Sequence, residues 1–148
     1  MLLSISMGRT EVSEKLKVQG IFCIPVNVGN PHAVIFCDDA ENAPLTTLGA
    51  SIEHDPLFPD GVNVEFVQVL GPVELRMRVW ERGSGITMAC GTGSCASVAA
   101  AVSEGHCVAN TQVTVHFDGG DLQVLVDEDG QVTMTGPAAF VCDGETLD

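Results

Sequence analysis

Basic residues are scarce in this chain. Six Lys and Arg stand against 20 Asp and Glu, giving a formal net charge of −14. So acidic a chain repels phosphate backbones and anionic bilayers, which argues against a nucleic-acid partner or a membrane surface. Long apolar runs are missing too, and none approaches the roughly 18 residues of a membrane span. The first residues, Met1 to Ser6, carry no Lys or Arg and lead to no small-residue cleavage site, so they do not read as a signal peptide. No C-x-x-C pair occurs, and His32, His54, His106 and His116 are scattered, so no zinc-type spacing exists and no metal is expected. Internal repeats, linkers and low-complexity segments are absent as well.

What remains is a chain of 148 residues, 45% apolar and only 18% charged, with a mean hydropathy of +0.27. That composition excludes disorder and suits one domain, 1–148, with a sizeable core. Six cysteines in a chain this rich in core formers read as reduced thiols, hence a cytoplasmic protein.

The pattern is mostly strand. Phe22–Val28 and His32–Cys37 are apolar runs separated by the turn signature Gly29-Asn30-Pro31. Leu45, Leu48 and Ile52 share one helical face between Leu45 and His54. Asn63–Leu70 reads as a strand. Val73, Leu75, Met77 and Val79 then alternate with Glu74, Arg76 and Arg78, the mark of a half-buried strand. Further strands are expected near Gln112–Phe117, Leu122–Val126, Val132–Thr135 and Ala138–Cys142, with turns at Gly119-Gly120 and Asp129-Gly130. One segment differs. Gly93–Glu104 is alanine-rich, small on every face and followed by Gly105, so it reads as a buried helix with a glycine stop. The fold class is therefore α+β, an antiparallel or mixed β-sheet wrapped around a buried central helix.

The densest chemical signal is Trp80–Ala96, WERGSGITMACGTGSCA. Cys90 meets Gly91-Thr92-Gly93 at the start of that helix. Free amides there form an anion cradle, and the same dipole is expected to lower the thiol's pKa. A carboxylate held by those amides places its α-carbon near the sulfur. Cys90 stands open between this role and that of a core thiol, whereas Cys23, Cys37, Cys95, Cys107 and Cys142 read as packing. Gly91, Gly93 and Ala96 also match G-x-G-x-x-A, but no acid follows near Thr111 and no βαβ unit surrounds it, so a dinucleotide site is not expected. Asn30 and His32 fall at a sheet end, Asn63 at a loop–strand junction, and Glu81-Arg82 at a strand end. Turns account for Asn30, His32 and Asn63, whereas Glu81-Arg82 reads either as a solvated pair or as contacts to a substrate's carboxylate and ammonium.

Together the stretches VNVGNPHAVIF (26–36), FPDGVNVEFVQVL (58–70), WERGSGITMACGTGSCASVAAA (80–101) and MTGPAAFVCDGE (134–145) resemble the diaminopimelate epimerases. The resemblance implies an isomerase of lysine and peptidoglycan-precursor biosynthesis that interconverts LL- and meso-diaminopimelate with no cofactor, neither pyridoxal phosphate nor metal. It implies two cysteines facing each other across the α-carbon, one removing a proton and the other returning one. Cys90 matches one of them. His32 and Glu81 match polar groups beside the catalytic thiols, and Asn30, Asn63, Glu81, Arg82, Gly91 and Thr92 match substrate-binding positions. The chain resembles only the C-terminal half of that family, and the CGNG-type motif of the other cysteine is absent. The expectation is a half-site that does not epimerise efficiently alone. It is then a fragment, a subunit that pairs with a separate N-terminal half, or a homodimer that sets two Cys90 across one cleft. The alternative is a non-catalytic amino-acid or carboxylate binder.

Overall fold

The computed structural model describes residues 1–147. Its strands are β1 (Leu2–Arg9), β2 (Glu11–Val12), β3 (Leu16–Val18), β4 (Ile21–Asn27), β5 (Pro31–Phe36) and β6 (Asn63–Gly71). They continue with β7 (Glu74–Glu81), β8 (Gly85–Ile86), β9 (Val113–Phe117), β10 (Gly120–Val126) and β11 (Gln131–Pro137). A π-helical turn, Leu45–Gly49, runs into the short helix α1 (Ala50–Glu53), and one long helix, α2, spans Gly91–Ser103. The strands form one mixed sheet in the order β1-β11-β10-β9-β7-β6-β5-β4-β2, with β3 on β4 and β8 on β7.

Most neighbours are antiparallel partners, but β5–β6 and β7–β9 are parallel. Parallel neighbours need a crossover, and the two crossovers carry the helices. The π-turn and α1 join β5 to β6, and α2 joins β7 to β9. These helices serve two apolar clusters. α2 packs with Val34, Val67, Leu75, Met77, Val113, Val115 and Val124. Leu45 and Ile52 pack with Ala33, Ile35, Val62, Val64 and Phe66. Alternate residues of β5 and β6 thus go to opposite clusters, which is why both strands read as continuous apolar runs rather than alternating ones.

α2 touches β2, β4, β5, β6, β7, β9, β10 and β11. Its small side chains make this possible, because a helix of Gly, Ala and Ser lets strand side chains approach on every side. Cys90 caps its start, and Gly105 at φ +79° ends it, with His106 N–H on the Ala101 carbonyl at 2.8 Å.

The structure departs from the sequence reading in four places. Leu2–Arg9 forms a strand paired with β11, although its side chains are mostly exposed and carry no burial pattern to reveal it. Leu45–His54 is not one helix but a π-turn followed by a single helical turn. Val73 lies in the β6–β7 turn and is exposed, so the alternation begins at Leu75. Ala138–Cys142 forms no strand. The outer edge of β11 is already taken by β1, and Phe140, Val141 and Cys142 are exposed. Among the described residues, no helix is long and apolar enough to cross a membrane.

Candidate active site

The parallel register of β5 on β6 sets His32 opposite Asn63. Residues two apart on a strand share a face, so Glu65 lies beside Asn63 on the side that meets α2. β7 runs antiparallel to β6 and ends at Glu81, next to the start of β6. The N-terminus of α2 arrives at the same end. Asn30, His32, Asn63, Glu81, Arg82, Cys90, Gly91 and Thr92, distant in sequence, thus come from one end of the sheet and the helix above it.

Hydrogen bonds tie these parts together. Asn63 Nδ2 donates to the Pro31 carbonyl at 3.0 Å, and its Oδ1 accepts from the Arg82 amide at 2.8 Å. Asn63 is therefore a brace between the Asn30–His32 turn and the Glu81–Arg82 turn. The Arg82 guanidinium donates to the Asp60 carbonyl at 3.1 Å, and its aliphatic stem fills the space over Gly61, where an added Cβ would come within 2.7 Å of it. Asn30 Nδ2 donates to Thr92 Oγ1 at 3.2 Å, linking the turn to the helix start. A hollow of about 300 Å³ opens beside Asn30 and His32, with Ser13, Asn27 and Phe58 also on its wall.

Cys90 is extended at φ −147° and ψ 103°, and its sulfur accepts the Gly93 amide at 3.2 Å. Of the three amides expected to cradle an anion, Gly93's is thus taken by the thiol. Helix geometry leaves Gly91 and Thr92 without intrahelical partners. Gly93 itself has no room for a side chain, since a Cβ would lie 2.9 Å from Glu65 Oε1 and 3.0 Å from Cys90 Sγ.

One expectation is reversed. The helix start does not lower the Cys90 pKa, which burial pushes up to about 12. Glu81 acts in the same direction, and the opposing Thr92 hydroxyl and Gly93 amide do not balance the two. A thiol removed from water loses more than a helix dipole returns. At neutral pH Cys90 is a proton-bearing thiol.

Two buried carboxylates belong to the site without being singled out by the sequence reading. Glu65 is 0% exposed, and its Oε1 lies 2.6 Å from His32 Nδ1. Burial raises its pKa, and its Oε2 has no partner. The signal that could have found it is an acid inside the apolar run NVEFVQV. Glu53 accepts Trp80 Nε1–H at 2.9 Å and the Gly83 amide at 2.7 Å, and so clamps the turn that carries Glu81 and Arg82. Nothing local marks Glu53. No group of three or more His, Cys, Asp or Glu suited to a metal occurs among the described residues. All six cysteines are free.

A diaminopimelate epimerase from Bacillus cytotoxicus is 56% identical over 119 residues, covering 80% of this chain and 41% of that protein. One from Bacillus licheniformis is 58% identical over 120 residues, covering 81% and 42%. One from Geobacillus kaustophilus is 55% identical over 119 residues, covering 80% and 41%. The chain therefore spans about two fifths of the length of these curated relatives. Among solved structures, a protein described as a predicted epimerase from Pseudomonas aeruginosa superposes with a TM-score of 0.67 at 17% identity, covering 99% of this chain and 59% of that one. A hydroxyproline epimerase from Agrobacterium vitis gives 0.66 at 18% identity, covering 91% and 49%. At such low identity these two show an epimerase and racemase type of fold. The diaminopimelate epimerase family model matches residues 24–141, a span that runs from β4 past β11 and contains every side chain gathered around Cys90, and on that match the chain belongs to the diaminopimelate epimerase family.

Proposed function

We propose that this chain supplies one half of a cofactor-independent epimerase site for diaminopimelate, with Cys90 as its acid and base. The observation that carries the reading is the buried Cys90 thiol at the N-cap of α2, with Glu81 beside it and two unpaired helix amides next to it. The relatives that share more than half of the aligned residues are diaminopimelate epimerases.

The amides of Gly91 and Thr92 take the substrate's α-carboxylate, where charge grows as the α-proton leaves. Asn30, Asn63 and the Glu81–Arg82 pair orient the ammonium and carboxylate groups. A thiol that holds its proton at neutral pH is suited to donation: Cys90 S–H gives its proton to the α-carbanion on one face, leaving a thiolate. In the reverse direction the thiolate removes that α-proton. Glu81, against the sulfur, accepts the thiol's proton when Cys90 must act as base. His32 lies on the Asn30 side of the site, with both ring nitrogens hydrogen-bonded to neighbours that lead toward Cys90. The second acid or base, on the opposite face, comes from a separate N-terminal half or from a second copy of this chain.

The sheet is taken to curl round α2, which β2 touches from one end of the strand order and β11 from near the other. That arrangement holds the helix start rigidly over the sheet end.

The test is α-proton exchange of LL-diaminopimelate in D₂O, followed by NMR, with C90A as control. Exchange that C90A abolishes supports the reading. Exchange without inversion means a working half-site, and exchange with inversion means that two Cys90 thiols meet or that a second acid is recruited. Binding of diaminopimelate without exchange favours the carboxylate-binder alternative. A folded chain that neither binds diaminopimelate nor exchanges its α-proton overturns the half-site reading for the chain alone.

A further inference from the structure

The polar contacts behind Cys90 form a continuous series across three chain segments. Glu65 Oε1 meets His32 Nδ1 at 2.6 Å, and His32 Nε2 meets Asn30 Oδ1 at 3.1 Å. Asn30 Nδ2 then donates to Thr92 Oγ1 at 3.2 Å, and Thr92 Oγ1 lies 3.7 Å from Cys90 Sγ, within reach of the larger sulfur. We propose that Glu65, His32, Asn30 and Thr92 are positioning residues that form a one-way chain of hydrogen bonds, anchored on a buried carboxyl and ending with the Thr92 hydroxyl donating to the Cys90 sulfur.

The direction follows from hydrogen-bond chemistry. An amide oxygen only accepts and an amide nitrogen only donates. With Asn30 Oδ1 toward His32, the imidazole must donate from Nε2. With Asn30 Nδ2 toward Thr92, the hydroxyl oxygen accepts, and its own hydrogen is left free to point at the sulfur. What keeps Nε2 a donor is the partner on the other ring nitrogen. When Glu65 Oε1 donates its proton to Nδ1, the hydrogen of the ring sits on Nε2.

Burial supports this arrangement. Both side chains of the pair are 0% exposed, and Glu65 Oε2 has no donor, so a full carboxylate charge is disfavoured and the shared proton lies toward Glu65. The opposite arrangement, with the Thr92 hydroxyl turned to Asn30, requires Nε2 without a proton. A protonated Glu65 excludes it. The charged or titratable groups facing the sulfur are Glu81 at the end of β7, Glu65 on β6 and, one residue removed, His32 on β5.

This inference rests on the proposed role of Cys90, but its test does not. The thiolate fraction of Cys90 is read from the pH dependence of its alkylation rate, followed on the Cys90 peptide by mass spectrometry with C90A as the blank. The comparison is between E65Q and E65M, which both remove the carboxylate at similar volume. In E65Q the new side-chain amide still donates an N–H to Nδ1 and keeps the chain directed. In E65M the thioether holds nothing, so the ring tautomer and the Asn30 amide are released and the hydroxyl turns away from sulfur. The expected result is a thiolate fraction about tenfold lower in E65M than in E65Q at a given pH, the size of one lost hydrogen bond to a charged group. T92V, at the more accessible end, gives a similar fall relative to wild type, and T92S restores the wild-type curve. A far-downfield proton from the short Glu65–His32 hydrogen bond is present in wild type and absent in E65Q. Equal curves for E65Q and E65M, or a T92V curve that matches wild type, overturn the proposal. If the proton-exchange assay fails while these curves separate as stated, the hydrogen-bond chain stands and the assigned reaction falls.

Discussion

At the scale of single residues, the site depends on side chains that each satisfy two neighbours. Asn63 is one, since its amide group joins the turn before β5 to the turn after β7. N63A is expected to cost about 1–3 kcal/mol, because the Arg82 amide and the Pro31 carbonyl both lose their partner. Urea unfolding measures that loss. Cys90 makes a kinetic prediction. With its pKa pushed up to about 12, the native thiol is expected to alkylate slowly near neutral pH, and the rate should rise about tenfold per pH unit as thiolate forms. A rate that levels off below about pH 8 would show a low-pKa thiol instead. Of these residues, Cys90, Asn30, His32, Asn63, Glu81 and Arg82 were legible in the sequence because each sits at a glycine- or proline-marked junction. Glu65 and Glu53 were not, because their partners lie 33 and 27 or more positions away.

At the scale of elements, α2 is the piece on which both packing and chemistry rest. Ala100 is wholly buried among strands on several sides. A100L should destabilise by about 1–3 kcal/mol or more through overpacking, while the reverse kind of change, L75A on β7, should cost about 2–5 kcal/mol through a cavity. Thermal unfolding reads both. The clamp at the other end of β7 is electrostatic. Glu53 is held below the usual carboxylate range by the Trp80 N–H first and the Gly83 amide second. Its contribution is therefore complete above the ordinary carboxylate range and is lost as pH falls through the depressed folded value. E53Q removes that dependence and leaves one of the two donors unpaired, so its destabilisation should be larger at neutral pH than in acid.

At the scale of the whole molecule, the charge excess and the sheet's long-range joins set the response to conditions. With 20 acidic residues against six basic ones, self-repulsion works against the folded state. The melting temperature is expected to rise as salt is added up to physiological ionic strength, and a fall would contradict this. Arg76 lies at the join of β7 and β9, bonding Glu41 and Asp118 at 2.6 Å each, with His116 between Asp121 and Glu74 nearby. Those last two carboxylates raise the His116 pKa above its ordinary 6.5. Its stabilisation is then full below about pH 6.5 and fades as pH climbs through the folded value. H116A should accordingly lose more stability at about pH 5.5 than at about pH 8.5, measured by paired denaturant curves.

The sequence by itself determined the elements whose signals are local. Apolar runs closed by Gly29-Asn30-Pro31, the Leu75–Val79 alternation and the all-small helix before Gly105 need only neighbours along the chain to be read, and so does the glycine-flanked Cys90. Tertiary structure alone decided the rest. Strand β1 is paired by β11, a partner more than a hundred residues away, and residues 138–142 leave the ladder after β11 with Phe140 and Val141 exposed. The Cys90 pKa went upward, against the local helix-start expectation, because burial and the Glu81 side chain brought by β7 outweigh one turn of helix dipole. Pairing and desolvation are properties of surroundings supplied by distant segments, and no local pattern encodes them.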